Sequence, residues 1–142
     1  MSYVSIVAKI KSKLEAITQV KEVWDFPINA FKAEIKDWPI AVIVESSNES
    51  DYLTTSENFI VYAYEIWLFN RVDNAILKKE WEKHREVMDA VLDAFHKDPT
   101  LGGTVINIKP VPGEWRTEGL SESQSAIMSY VVLRCELDKA FL

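Results

Sequence analysis

The chain has 142 residues, of which 48% are hydrophobic and 27% charged, with only four glycines and five prolines. That balance excludes a disordered or low-complexity chain and fits a single domain, residues 1–142, long enough to bury roughly two thirds of its unfolded surface. The net charge of -6 disfavours broad contact with nucleic-acid phosphates, which needs a concentrated basic face, and the basic residues form none.

A helix is predicted first. Tyr3, Ile6, Val7, Ile10, Leu14 and Ile17 recur at three- and four-residue steps behind Ser2, which can cap them. A short strand over 20–26 stops at Pro27, and residues 27–37 form a connection. A second strand over 39–45 contains IAVIV, continuous enough to be buried on both faces. The longest strand, 58–70, is apolar on two sides, with Phe59, Val61, Ala63, Trp67 and Phe69 against Ile60, Tyr62, Tyr64, Ile66 and Leu68. Helices can cover one side; the other implies a further cover, such as a neighbouring subunit.

Asp73 or Asn74 can cap a second helix of about six turns, with Leu77, Trp81, His84, Met88, Val91, Leu92 and Phe95 as its apolar stripe. Asp98-Pro99 stops it, Gly102-Gly103 reverses the chain, and 104–109 reads as a strand with Ile106 and Ile108 on one face. A last strand runs over about 126–138, alternating Ile127, Val131, Leu133, Cys135 and Leu137 against Met128, Tyr130, Val132, Arg134 and Glu136. The expected fold class is α+β, two helices packed on a mainly antiparallel four- to five-stranded sheet, in the order α-β-β-β-α-β-β. Two long polar loops, 46–57 and 110–125, interrupt it; Tyr52, Leu53, Trp115 and Leu120 give them apolar anchors that a partner can order.

Few residues are spaced as reactive chemistry needs. A phosphate-binding glycine loop runs strand, glycines, helix, whereas Gly102-Gly103 follows a helix and precedes a strand, so a turn is the better reading. Glu80 and His84 stand one helical turn apart without a third ligand, and His84 falls on the apolar stripe. The acids Glu45, Glu49, Asp51 and Glu57 lack calcium-loop spacing. Ser121, in GLSES, lacks the strand-to-helix setting of a nucleophile elbow. Cys135, the sole cysteine, has apolar neighbours and excludes an intrachain disulfide, as in a reducing cytoplasm. No catalytic residue, metal or cofactor is expected. The N-terminal segment is too interrupted by polar residues for a signal peptide, and no stretch is long enough to span a bilayer. Of the five tryptophans, only Trp115, beside Arg116, stands outside the core patterns as an interface anchor.

The element order, the phrase WPIAVIVE at 38–45 and the helix end DPTLGG at 98–103 running into Val105 and Ile108 resemble the tail terminator, or tail completion, proteins of long-tailed bacteriophages. The resemblance covers nearly the whole chain as an arrangement; head–tail joining proteins overlap it in size and layout. It implies a non-enzymatic ring, typically a hexamer, located at the head-proximal end of the virion tail and assembled in the host cytoplasm. Its partners would be the tail tube protein and a head-completion or connector protein, with DNA passing through the ring and no membrane involved. Tyr52, Leu53, Trp115 and Arg116 are then candidate contacts to subunits and tube. Glu49, Asp51, Glu118 and Glu122 are candidate lumen-facing acids, which would repel DNA from the wall. The rival from another class is a small enzyme or ligand-binding domain with a pocket between helix and sheet, built around Glu65 or His84.

Overall fold

The computed structural model of the protein describes residues 3–28, 35–46, 53–55 and 59–138. Helix α1 spans Tyr3–Glu15, and Ile6, Ile10 and Leu14, four residues apart on one face, are fully buried. Ser2, its expected cap, lies outside the described residues. Lys21 N–H then donates to the Pro39 carbonyl at 2.9 Å, and β1 (Glu22–Trp24) pairs in parallel with β2 (Ile40–Glu45), Glu22 opposite Ile40. β1 is shorter than the strand over 20–26 that the sequence suggests: β2 begins only at Ile40, which limits its start, and the chain bends away at Asp25 and Phe26, ahead of Pro27. In β2, Ile40, Ala41, Val42 and Ile43 are all buried, so both faces of the IAVIV run are covered.

The remaining elements are β3 (Leu53–Thr55), β4 (Phe59–Asp73), a 3-10 turn (Asn74–Ile76), α2 (Leu77–His96), β5 (Asn107–Pro112), β6 (Arg116–Gly119) and β7 (Gln124–Asp138). They form one seven-stranded sheet in the order β1-β2-β4-β7-β5, with β3 on β4 and β6 on β7. Apart from β1 with β2, the ladders are antiparallel. The fold is therefore α+β, two helices on a mainly antiparallel sheet, with more strands than the sequence suggests. The additional strands, β3 and β6, arise where long loops were expected. β3 continues along the side of β4 that β2 occupies, and β6 along the side of β7 that β5 occupies. A long, well-anchored partner supplies a ladder that local pattern does not announce.

Both helices lie on one face of the sheet. The core between the layers joins Ile6, Ile10 and Leu14 of α1, Val87, Met88, Val91 and Phe95 of α2, Tyr64, Ile66 and Leu68 of β4, and Val131, Leu133, Cys135 and Leu137 of β7. Each large apolar side chain removed from water there contributes about 1.5–3 kcal/mol. The β4–β7 ladder, from Phe59 opposite Asp138 to Asp73 opposite Gln124, is the spine of the sheet. Asp73 caps the turn before α2, its Oδ1 accepting from Ala75 N–H at 2.8 Å. Asn74, the other expected cap, instead donates from Nδ2 to the Glu122 carbonyl.

The glycine pair does turn the chain. Leu101, Gly102 and Gly103 have φ of 47°, 65° and 85°, a left-handed run that the two glycines adopt without a steric cost. Its N–H groups are taken up within the turn, Leu101 donating to the Asp98 carbonyl and Gly103 to Thr100 Oγ1. Gly102 N–H donates to Asp98 Oδ1 at 2.9 Å, and Lys13 Nζ lies 3.0 Å from Asp98 Oδ2. These two donors hold the Asp98 carboxyl below the usual carboxylate range. Leu101 tolerates a conformation that costs a non-glycine residue about 1–2 kcal/mol because its side chain is buried in the core. Val105 N–H closes the turn on the Thr100 carbonyl. β5 therefore starts at Asn107, three residues later than expected, and Ile106 is exposed instead of sharing the buried face of Ile108.

Candidate functional site

On the face of the sheet away from the helices, the ladder registers align side chains into transverse rows. Trp24 stands opposite Val42, Val42 opposite Trp67, and Trp67 opposite Tyr130. Tyr130 in turn accepts at its carbonyl from Gly113 N–H at 2.7 Å. The Trp67 ring lies 4.7 Å from Tyr130 and stacks at 5.8 Å and 13° on Phe69, offset contacts that aromatic quadrupoles favour. Ile28, Ile35 and Trp38 pack over the β1–β2 end of this face. A shallow hollow of about 230 Å³ remains between Pro27, Ile28, Val44 and Phe69.

Toward β5 that cover ends. Val132 is half-buried and Val111, opposite it, is 50% exposed. Glu65, the acid within this apolar region, is held by its own strand: Trp67 Nε1 donates to its Oε1 at 2.9 Å. Further along come Arg134 and the Lys109–Glu136 ion pair, 3.1 Å apart.

The junction of β5 and β6 contains a β-bulge. Gly113 bonds to Tyr130 and Arg116 stands opposite Met128, so Glu114 and Trp115 together face Ser129 alone. In an uninterrupted strand Trp115 would fall on the outer face; the extra residue turns it toward the helices. There its ring centroid lies 5.2 Å from Trp81 and 5.0 Å from His84, edge to face at 84°. Trp115 is thus half-buried against the core and is not the free loop side chain that the sequence suggests. A one-residue bulge has no local sequence signature strong enough to reveal this.

His84 is fully buried, with Nε2 2.7 Å from Ser129 Oγ. Its Nδ1 is buried without a hydrogen-bond partner among the described residues, and desolvation lowers its pKa to about 4. It is a neutral packed histidine at pH 7. Beside it opens a cleft of about 420 Å³ between α2 and the start of β2, with Lys21, Asn70, Glu80, Lys83 and Trp38 among its walls. Glu80 accepts from Asn70 Nδ2 at 3.5 Å and lies 3.4 Å from Lys83 Nζ. These balanced charges suit a small polar group. Glu65, the other residue expected to head a pocket between helix and sheet, faces the opposite side of the sheet from this cleft.

Other reactive candidates are occupied structurally. The Cys135 thiol is fully buried and its pKa is pushed up to about 12 by desolvation, which suppresses the thiolate. Ser121 Oγ accepts from the N–H groups of Ser123 and Gln124 at 3.3 and 3.2 Å, closing the turn into β7. Among the described residues no three His, Cys, Asp or Glu side chains gather to hold a metal ion.

The candidate contact and lumen residues do not form one cluster. Arg116 is exposed on β6, with Nη2 3.7 Å from Glu114 Oε2. Glu118, also on β6, and Glu122, in the turn before β7, are exposed. Leu53 opens β3, opposite Tyr62. Tyr52, Glu49 and Asp51 lie outside the described residues. Sequence reasoning missed the outer row of Tyr130 with Gly113; its only trace was the apolar second side of the two long strands. No protein-family model matches the chain, and no curated protein matches it significantly.

Proposed function

We propose that the chain is a tail terminator protein of a long-tailed bacteriophage, a non-enzymatic ring-forming subunit that caps the tail tube, stops its growth and offers a surface for the head. The observation that carries this reading is the outer sheet face. The helices cover one side of β4 and β7, while the other side keeps Val132, with Val111 beside it on β5, only partly covered. Apolar surface arranged on a rigid sheet is relieved by association with another subunit. The exposed acids Glu118 and Glu122 suit a lumen wall along which DNA slides, because like charge repels the phosphates. Tube growth stops because the ring occupies the surface that the next tube subunit needs, and no reaction is required. A head–tail connector protein of the same region of the virion would share this surface logic.

One observation favours a second reading, a small ligand-binding domain: the cleft beside His84, with charged and amide groups converging on about 420 Å³. Light scattering over a range of concentrations, with negative-stain images of the same fractions, separates the two. Six-subunit rings with a central hole are expected for the terminator. A monomer at every concentration overturns the self-assembling ring and turns attention to the cleft.

A further inference from the structure

We infer that the subunits of this ring join head to tail, the Val111–Val132 patch of one copy seating in a groove beside α1 of the next. The inference rests on the ring proposed above and names the two surfaces that would make it. The groove is open, about 620 Å³, floored by Val4, Val7 and Ala8 on α1 and edged by Glu15, Asp25 and Glu45. Val4 is 80% exposed, an apolar side chain on a helix face that the core does not use.

The two surfaces lie at opposite edges of the sheet. α1 packs over β1 and β2, whereas Val111 belongs to β5, the last strand on the other side. Surfaces so placed on one subunit propagate heterologously and close into a ring when the rotation permits, unlike a self-matching patch, which stops at a dimer.

Their charges also match. In the groove Lys11 is paired with Asp25 at 3.8 Å, leaving Glu15 and Glu45 without ion-pair partners among the described residues. On the outer face Lys109 is paired with Glu136, and Glu65 accepts from Trp67. Arg134, half-buried beside Val132, is left with no ion pair among the described residues. An unpaired guanidinium on an apolar patch and unpaired carboxylates round an apolar groove are complementary.

The β5 edge adds a constraint. Gly113 N–H points to β7, and backbone direction alternates along an antiparallel strand, so residues 108, 110 and 112 point outward. Two of these are Pro110 and Pro112, which have no N–H. The edge therefore offers carbonyls with few donors, a poor template for strand addition. A neighbour must meet this side through side chains.

The test uses the full chain and two exposed or half-exposed charges. Arg134→Glu and Glu45→Lys are each expected to raise the concentration needed for ring formation by about tenfold or more. The double variant, which restores opposite charge, should recover assembly, and an equimolar mixture of the single variants should form alternating rings. Far-UV circular dichroism and a urea midpoint near that of the wild type establish that each variant folds. Wild-type rings with single variants that assemble normally, or a double variant worse than either single one, overturn the inference and leave the ring reading standing. A wild-type chain that never assembles removes both.

Discussion

His84 Nε2 on α2 and Ser129 Oγ on β7 lie 2.7 Å apart, and both residues are fully buried. Leu68 stands opposite Ser129 across the ladder, so this polar pair is set into an apolar layer. It pins the N-terminal half of α2 to the centre of the sheet.

The pair makes stability depend on pH in a definite direction. Burial lowers the folded-state pKa of His84 from 6.5 to about 4, so between these values the unfolded chain binds more protons than the folded one. Stability is fully present above pH 6.5 and falls as pH drops toward 4, by up to roughly 3 kcal/mol. Urea unfolding at pH 7.5, 5.5 and 4.5 measures this, and His84→Gln should flatten that part of the profile. An unchanged slope in the variant assigns the acid sensitivity to other groups.

Gly113→Ala should destabilise the fold by about 1–3 kcal/mol, because its new methyl group falls inside the van der Waals radius of the Tyr130 ring. Pairing it with Tyr130→Ala removes the obstruction, so the double-mutant cycle should show clear positive coupling. Additive losses would mean that the ring moves aside at little cost.

Trp115→Ala should lower stability by about 2–3 kcal/mol, the loss expected for a half-buried indole packed on Trp81 and His84. The near-ultraviolet circular dichroism of the Trp81–Trp115 pair should change with it. A variant with wild-type stability and altered assembly alone would return Trp115 to the role of a surface anchor.

What the sequence revealed and concealed follows from the range of the interactions. The four-residue spacing of Ile6, Ile10 and Leu14 and the alternation of Tyr64, Ile66 and Leu68 against Trp67 and Phe69 are local patterns; the first six are fully buried against the helices or sheet, and Trp67 and Phe69 are half-buried on the other face. β6 has the sequence RTEG and all four residues are exposed, so nothing local marks it as a strand. It exists because β7 is long enough to pair with β5 and then with β6. The reorientation of Trp115 is likewise a change of register between partners, invisible in either segment alone. Of the candidate contact and lumen-facing residues, the exposure of Arg116, Glu118 and Glu122 is legible from their polarity. The complementary surfaces at Val111 and Val4 were not, since they depend on which edge of the sheet each element reaches.

The Asp98 carboxylate occupies the Gly102 N–H from within the chain. Without that carboxylate, the Gly102 N–H beside Lys9 and Lys13 would attract phosphate or sulfate, and the shape of the turn would then follow the solute concentration of the cell or the medium. Asp98, four residues away on the same chain, acts as a tethered ligand whose effective concentration is on the order of the millimolar range or above. The corner between α2 and β5 is thus kept in one shape by an anion that cannot diffuse away.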